Sequence, residues 1–369
     1  MHTITCRDRH CPGCQNAKRA AWLDKRRGQL LAVPYFHTIV PLPSDLSRLA
    51  LDNRRLIFGL LFSKVAETLK EVAASHGLGR IGFFAVLHTW GQKLQHHVHL
   101  HLVVVGGGLS SDRQQWTTAR DNFFLPVPVL RLVFRAKMLG ALLEAYEEGR
   151  LTFSGELKHL AQRPAFQQWW GRLLCKDWVV HVKPPIAGGP DRVLKYLARY
   201  VYRVGISNGR LLELSGDQVT FSYRDYSQEG HPEKPLTLSA DQFLGQFLQH
   251  VLPPGFVRIR YYGFLGGPHA AKRIEAIREL IANPSGDRGA EPTTSTDAQS
   301  ESFQTAASLH QHQLPDSTDP TPSWPGLCPQ CGAGPMREIS ARSRFVCREL
   351  WSVLWHVFPS WPLEPDDSS

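Results

Sequence analysis

The sequence has little of what marks a membrane, secreted or nucleotide-driven protein. Its 369 residues contain no run approaching 18 apolar residues, which argues against a membrane-spanning helix. The first residues carry charges and cysteines where a signal peptide would need an apolar stretch. No Gly-x-x-x-x-Gly-Lys-Ser/Thr loop is present, so no site for a nucleoside triphosphate is predicted. We therefore expect a cytoplasmic protein that uses neither a membrane nor a nucleotide cofactor.

Acidic residues are scarce in the larger part of the chain. The sequence holds 42 Lys and Arg against 33 Asp and Glu, a net charge of +9. Residues 284–369 carry 5 basic and 11 acidic side chains, a net of −6, which leaves +15 on residues 1–283. A body with that charge attracts polyanions, and nucleic acid is the first candidate. A basic protein without a nucleic-acid partner is the alternative at this point.

Hydrophobic periodicity divides the first 283 residues into strands and amphipathic helices. Strands are predicted over 34–42, 81–90, 98–105, 178–182 and 219–224, and helices over 52–74, 191–203, 240–251 and 270–282, with 120–175 mostly helical. The short segment 91–97 predicts a hairpin between the second and third strands. The glycine run Gly106 to Gly108 follows the third strand and is interpreted as a turn.

Composition sets the predicted domain boundaries. Residues 1–28 hold three cysteines and a basic stretch, and residues 29–283 have the pattern of a globular domain. Residues 284–325 are rich in Ser, Thr, Pro, Gln and Asp, which predicts a disordered linker. Residues 326–369 form a short C-terminal tail.

The cysteines near the N-terminus have the spacing of metal ligands. Seven cysteines spread over the chain, several in Cys-x-x-Cys spacing, favour metal binding in a reducing compartment over a disulfide framework. Cys11 and Cys14 form one such pair, and Cys6, His10 or His2 could complete four zinc ligands. A partial zinc-binding segment is therefore predicted over 1–28.

The cysteines near the C-terminus give a weaker pattern. Cys328 and Cys331 have the spacing of half a zinc ribbon, and Cys347 and His356 are the nearby candidates for the second half. Cys175 is interpreted as an ordinary buried thiol.

Histidines are concentrated in one short region. Five of the 17 fall within 14 residues, namely His88, His96, His97, His99 and His101. Alternation along a strand puts His99 and His101 on one face, where two imidazoles can reach the same divalent ion. A hairpin turn near Leu94 would bring His88 beside the pair as a third ligand, with Gln92 as the reserve. The other two are expected in solvent at the loop edge. Histidines that line a polar sheet face without metal are the alternative.

Two tyrosines lie four residues apart on the predicted helix 191–203, so Tyr196 and Tyr200 share one face. The same helix is basic through Lys195, Arg199 and Arg203. Two phenols on a basic helix can offer nucleophilic oxygens to a phosphodiester. A phenol with a pKa near 10 is a weak nucleophile, so metal polarisation and positive charge would have to activate it. Core packing or a base-stacking surface is the alternative.

These motifs together resemble a known family. His99-Leu100-His101 resembles the His-hydrophobe-His motif, and Tyr196-Leu-Ala-Arg-Tyr200 resembles the two-tyrosine helix of rolling-circle nucleases. Three longer segments are similar to transposases of the insertion-sequence-91 type, namely AVLHTWGQKLQHHVHLHLVVVGGGLS, HVKPPIAGGPDRVLKYLARYVYRVGISNGRL and VLPPGFVRIRYYGFL. CRDRHCPGCQ resembles the end of that family's zinc-binding domain, which usually has a further Cys or His pair upstream. The resemblance extends from Cys6 to about Ile281.

The resemblance implies a fold and an activity. The fold would be α+β, a central antiparallel sheet flanked by helices, with the catalytic domain over 29–283. His99 and His101, with His88, would bind Mg²⁺ or Mn²⁺, and Tyr196 and Tyr200 would attack single-stranded DNA in turn. Each attack would leave a 5′-phosphotyrosine and a free 3′-hydroxyl, as in rolling-circle transposition on the bacterial nucleoid. The positive charge of residues 1–283 separately predicts contacts to DNA phosphates from Arg192, Lys195, Arg199, Arg203, Arg258 and Arg260.

Two alternatives to a transposase stay open on the sequence. A plasmid relaxase or replication initiator would use the same chemistry, although the three long segments favour a transposase. A zinc-stabilised DNA-binding remnant without activity would also carry the basic body and the cysteines. A DNA-binding gel shift without any covalent adduct would support the remnant.

Overall fold

The computed structural model describes residues 10–120, 124–186 and 189–283 of the chain. These residues all belong to one compact unit. The predicted linker 284–325 and the tail 326–369 lie outside the described residues, and so do the candidate ligands His2, Cys6, Cys328, Cys331, Cys347 and His356.

The described residues form helices and strands in alternating groups. The helices are α1 (Pro12–Arg27), α2 (Ser44–Asp52), α3 (Arg54–Ser75), α4 (Val127–Glu147), α5 (Arg163–Cys175), α6 (Gly189–Val201), α7 (Ala240–Leu248) and α8 (Ala270–Ala282). The strands are β1 (Tyr35–Pro41), β2 (Arg80–Trp90), β3 (His96–Leu109), β4 (Trp116–Thr118), β5 (His181–Val182), β6 (Leu211–Ser215), β7 (Gln218–Arg224), β8 (Glu233–Ser239) and β9 (Ile259–Tyr262). Short 3-10 helices lie at Gly155–Ala161, Asn208–Arg210 and Gly263–Leu265. None of the helices in this part of the chain combines the length and the apolar character needed to cross a bilayer.

A central antiparallel sheet organises the domain. Its strand order is β5-β1-β3-β2-β9, and β4 joins it by pairing with the far end of β3. The long strands β2 and β3 form the predicted hairpin, in which His88 lies opposite His99. Helices pack on both faces of the sheet. The predicted α+β fold with a helix-flanked antiparallel sheet is therefore confirmed.

Alternation along the central strands sends one set of side chains to each face of the sheet. On one face Phe84, Val86 and Val103 form a hydrophobic core with residues of α1, α6 and α8. On the opposite face the Tyr262 ring stacks on Phe83, and the Tyr262 hydroxyl donates to a backbone carbonyl of α3 at 3.5 Å. The first face therefore carries α6 and its tyrosines, and the second face carries α3.

On the first face of the sheet, each row of alternating apolar side chains in the central strands is followed by a histidine. In β2 the row Phe84 and Val86 is followed by His88, and in β3 the row that includes Val103 reaches His101. In β1 the buried Tyr35 is followed two residues later by His37. The histidines are therefore a direct extension of the core, on the face that α6 covers.

A second, three-stranded sheet follows α6 and is packed with α7. Its order is β6-β7-β8, and the fully buried Phe221 of β7 forms a small core with Leu94 and Ile206. Leu94 belongs to the turn between β2 and β3, where its φ of 61° is an uncommon conformation for a residue other than glycine. Burial of the Leu94 side chain joins the turn of the central hairpin to the small sheet.

The glycine run does not form the predicted turn. Gly106, Gly107 and Gly108 lie within β3, which continues to Leu109. A Cβ added to Gly108 would collide with the backbone carbonyl oxygen of Leu78. The absence of a side chain at these glycines allows neighbouring backbone segments to come close to the strand, which is a common reason for glycine inside a strand.

Other elements differ from prediction at their ends. The predicted helix 52–74 is preceded by α2, which ends at Asp52 before α3 begins at Arg54. The predicted strand 178–182 shrinks to the two residues of β5, and β4, β6, β8 and β9 were not predicted. Cys175 is exposed, contrary to prediction, because α5 ends there and buries Leu173 and Leu174 instead.

Candidate active site

Three histidines from the central hairpin come together at one end of the core. His88, His99 and His101 each offer one ring nitrogen, and these three atoms lie within 4.8 Å of one another. Their relative exposures are 1%, 9% and 6%, so water has little access to the rings. Among the described residues this is the group with the donors and spacing to hold a metal ion.

The hydrogen bonds of these rings leave nitrogen lone pairs for a metal. His88 Nε2 lies 2.8 Å from the Tyr200 carbonyl oxygen, and His99 Nδ1 lies 2.9 Å from the His97 carbonyl oxygen. A carbonyl oxygen only accepts, so each of these nitrogens carries the hydrogen and donates it. In a neutral imidazole the other nitrogen, Nδ1 of His88 and Nε2 of His99, then keeps its lone pair.

Burial keeps the imidazoles neutral. It lowers the pKa of His99 to about 4, and it lowers the pKa values of His88 and His101 well below the usual range. Neighbouring imidazoles lower all three pKa values further. A neutral imidazole is the form that binds a metal, so this donor set fits a divalent ion without prior loss of a proton at neutral pH.

A fourth histidine, which sequence reasoning missed, links the cluster to a tyrosine. His37 of β1 is fully buried, and its Nε2 lies 2.8 Å from Nδ1 of His101. Its other nitrogen, Nδ1, lies 2.8 Å from the hydroxyl oxygen of Tyr196. Burial lowers the pKa of His37 to about 3. The available signal was a histidine on the core face of a strand otherwise rich in apolar residues, which is not specific enough to assign a role.

The two tyrosines of α6 lie over this cluster. The Tyr200 hydroxyl donates to the Tyr196 hydroxyl across 3.4 Å, and the two ring centroids are 5.2 Å apart. The Tyr200 ring also lies 4.5 Å from the ring of His37 and 4.7 Å from the ring of His101. The spacing of four residues puts both phenols on one face of α6, as the sequence predicted, and that face lies over the histidine cluster.

The remaining histidines of the sequence cluster take other positions. His97 is exposed, as expected. His96 is half-buried instead of solvent-exposed, because it begins β3 and packs 6.3 Å from the His250 ring, and burial lowers its pKa to about 4. The reserve ligand Gln92 is engaged elsewhere, since its side-chain oxygen accepts from the backbone of Arg224 at 3.4 Å.

An open cleft of about 620 Å³ leads to the cluster. His88, His99, His101 and Tyr200 lie in its inner wall. Arg203, just after α6, also lines the cleft, and its contact to phosphate stays a prediction.

The other predicted DNA-contacting residues are not all brought to this cleft. Lys195 and Arg192 are exposed on α6, and the side chain of Arg199 lies outside the described atoms. The Arg258 guanidinium is half-buried and donates to the Gln15 side-chain oxygen at 3.3 Å.

Arg260 lies away from the cleft. Its β9 register places it opposite Ala85, on the face that carries α3, and its guanidinium lies 4.2 Å from the centre of the Phe62 ring. This arginine is therefore separated from the tyrosines by the sheet.

The N-terminal zinc ligands are described only in part. Cys11 precedes the first turn of α1 and Cys14 is buried within it, while the His10 ring lies 5.2 Å from the Phe247 ring. Cys6 lies outside the described residues, so the structure does not test the four predicted ligands as a set.

Comparison with known families defines the class of protein. Residues 82–273, more than half of the chain, match the family described as "Putative transposase". Residues 1–42 match the family described as "Transposase zinc-binding domain". The histidine cluster and both tyrosines fall within the first match. The matched families are those of transposases.

Two curated relatives narrow the assignment. The chain is 48% identical over 279 residues to "Putative transposase y4qJ" of Sinorhizobium fredii, and the aligned region covers 75% of this chain and 70% of the relative. It is 30% identical over 293 residues to the "Transposase for insertion sequence element IS801" of Pseudomonas savastanoi pv. phaseolicola, covering 76% and 67%. No solved structure matches the chain at a significant level. The chain belongs to the insertion-sequence-91 family of transposases.

Proposed function

We propose that this transposase cleaves and rejoins single-stranded DNA through covalent 5′-phosphotyrosine intermediates, in rolling-circle transposition of an insertion sequence. The observation that supports the proposal is the chain of hydrogen bonds from the Tyr196 hydroxyl through the buried His37 to His101. This chain connects a phenol oxygen to a cluster of three convergent imidazoles, an arrangement that core packing alone does not require. The relatives favour a transposase over a plasmid relaxase with the same chemistry.

The three hairpin histidines would hold a divalent ion, Mg²⁺ or Mn²⁺. When bound, such an ion supplies Lewis-acid neutralisation of charge on the scissile phosphate. Arg203 adds fixed positive charge in the same cleft.

The chain's own residues prepare the nucleophile. When Nε2 of His101 is a ligand atom, Nδ1 carries the hydrogen and donates it to Nε2 of His37. His37 then carries its hydrogen on Nδ1 and donates it to the Tyr196 oxygen, which also receives the Tyr200 hydroxyl. Two donated hydrogen bonds stabilise the phenolate form of Tyr196 and orient its lone pair.

Each cleavage exchanges one ester for another. The tyrosine oxygen forms a bond to phosphorus and gives up its proton to solvent, while the 3′-oxygen of the preceding nucleotide leaves and takes a proton. The number of phosphate ester bonds does not change. The 3′-hydroxyl of another strand can therefore attack the phosphotyrosine and reverse the exchange without a nucleotide cofactor. Two tyrosines in one site, Tyr196 and Tyr200, allow two strands to be held in succession.

The N-terminal segment is proposed to bind zinc through Cys11 and Cys14, with Cys6 and His10 as the remaining ligands. The support is the match of residues 1–42 to a transposase zinc-binding domain. In this role zinc would be structural, because four protein ligands leave no open position.

The test is a covalent-adduct assay. Full-length protein is incubated with Mg²⁺ or Mn²⁺ and a labelled single-stranded oligonucleotide of the element's end, and the adduct is resolved by denaturing electrophoresis and mapped by peptide mass spectrometry. Tyr196→Phe and Tyr200→Phe should each lose the adduct at the altered position, and the double variant should form none. An adduct in the double variant would refute the proposal.

A further inference from the structure

The cleft beside the catalytic cluster has an outer wall that catalysis does not use. This wall comes from the small sheet and the β2–β3 turn, and it includes Tyr223, Tyr226, Lys93 and Arg224. It faces the same space as Tyr200 and the histidines. A strand with its phosphate at the tyrosines can therefore extend along this wall.

Tyr223 reaches the cleft because β7 extends beyond its own core. Alternate residues Val219 and Phe221 are buried in the small sheet, and Tyr223 is the next on that side but only half-buried. The Lys93 ammonium lies 4.7 Å from the centre of the Tyr223 ring. One aromatic ring with a cation beside it therefore lines the wall.

Tyr226 stands on a turn that its neighbours fix. Asp225 accepts hydrogen bonds from the backbone and hydroxyl of Ser227, at 3.1 and 2.6 Å, and an ion pair from Lys234 at 2.9 Å. The Tyr226 side chain is left 60% exposed, with the His231 ring 5.1 Å away. A large aromatic ring is thus presented to solvent on an ordered support.

Charge in the cleft favours a polyanion. Five cations line it, namely Lys93, Lys183, Arg203, Arg210 and Arg224. Asp225 is the one carboxylate in the same lining, and Lys234 neutralises it. Cations around exposed aromatic rings are the composition of surfaces that hold unpaired nucleotides, with phosphates on the cations and bases on the rings.

The wall is held rigidly against the hairpin. The Arg210 guanidinium donates to backbone carbonyls of Gln92, Gly205 and Ser222, the last two at 3.1 and 2.7 Å. Together with the buried Leu94 these bonds fix the small sheet to the β2–β3 turn. Rings on a fixed support lose little freedom when a base stacks on them.

The geometry points to a nucleobase-stacking platform formed by Tyr223 and Tyr226, which holds unpaired bases of the DNA strand next to the scissile phosphate. This inference rests on the proposed function, because it takes single-stranded DNA as the substrate. Stacking accepts every base, so the platform selects for unpaired strands and contributes little sequence preference. Bases within a duplex are already stacked on each other and cannot use it.

The experiment separates base binding from phosphate binding. Fluorescence anisotropy in buffer without added Mg²⁺ or Mn²⁺ measures the affinity of the full chain for a labelled oligothymidine of ~12 nucleotides and for an abasic strand of equal length. Tyr223→Leu and Tyr226→Leu should each weaken oligothymidine binding about tenfold, the scale of one lost stacking contact, and should leave the abasic strand bound as before. Tyr223→Phe and Tyr226→Phe keep the ring and should keep most of the affinity.

A matched pair of lysine variants calibrates the charge effect. Lys93→Gln, in the cleft, should weaken the binding of both oligonucleotides and reduce the dependence of affinity on salt. Lys158→Gln, at an exposed position within the 3-10 helix Gly155–Ala161, should change neither. Unchanged oligothymidine affinity in both leucine variants, or an equal loss for the abasic strand, would overturn the platform. Wild-type protein that binds oligothymidine but never forms a phosphotyrosine adduct on element-end DNA would overturn the proposed function and leave the platform standing.

Discussion

His37 provides the sharpest test of the proposed role of Tyr196 as the nucleophile. Each of its ring nitrogens makes one hydrogen bond of 2.8 Å, a buried one to His101 and a partly buried one to Tyr196. The amide of Asn can replace the Nδ1 position of histidine, and the amide of Gln can replace the Nε2 position. His37→Asn therefore keeps a partner for Tyr196, His37→Gln keeps a partner for His101, and His37→Phe fills the volume but keeps neither.

The magnitudes follow from these contacts. Loss of the bond to Tyr196 leaves the nucleophile unoriented, which we expect to slow adduct formation about 100-fold in His37→Gln and His37→Phe. Loss of the bond to His101 removes the partner that orients a ligand ring, which should weaken metal affinity about 10- to 100-fold in His37→Asn and His37→Phe. The asparagine and phenylalanine variants also remove the His37 partner of the buried Nδ1 of His101, at a cost of about 1–3 kcal/mol in the free energy of unfolding.

Single-turnover adduct formation at saturating oligonucleotide gives the rate, and calorimetric titration with Mn²⁺ gives the metal affinity. His159→Gln, an exposed histidine in the 3-10 helix at Gly155–Ala161, is the matched control and should behave as wild type. Wild-type rate in His37→Phe at saturating Mn²⁺, or identical losses of rate and metal affinity in the Asn and Gln variants, would refute the assigned roles.

Three further predictions use the same site and its support. Burial lowers the pKa of His37 to about 3 and that of His99 to about 4, so below the ordinary value of 6.5 the unfolded chain binds more protons, and the metal-free protein should lose stability as pH falls from about 6.5 toward 4. Urea unfolding across that range checks this, and a flat midpoint would contradict it. EDTA should abolish adduct formation, and Mn²⁺ should restore it at lower concentration than Mg²⁺, because Mg²⁺ prefers oxygen ligands to imidazole; a metal titration with Mg²⁺ acting first would be the opposite result. Gly108→Ala should destabilise the fold by about 1–3 kcal/mol because its Cβ meets the Leu78 carbonyl, whereas Gly28→Ala, at a position with open space, should not; equal unfolding midpoints for the two variants would show that the strand accommodates the methyl group.

The parts of the site that were predictable from sequence are those governed by local periodicity. The strand alternation of His99 and His101, the hairpin that adds His88, and the helical spacing of Tyr196 and Tyr200 each follow from a few neighbouring residues. His37 was not predictable in this way, because its role depends on strand pairing between residues 64 positions apart.

The differences in the fold have similar causes. Gly106 to Gly108 have the composition of a turn, but pairing with β4 and the close backbone of Leu78 hold them in an extended strand. The exposed strand β6 has no buried residue, so its sequence lacks the alternation that would reveal it. Arg260 was grouped with the DNA contacts by charge alone, and only its register with Ala85 assigns it to the far face.

The continuity of the histidines with the core has a thermodynamic consequence. Since His88 and His101 lie in the same strand rows as Val86 and Val103, the donors converge only when the central hairpin is packed. An ion bound there would bind the native chain and not the unfolded one, and at 100 times its Kd it would add about 2.7 kcal/mol to the free energy of unfolding. Supply of the proposed ion would then change the fraction of transposase molecules that are unfolded and open to proteolysis.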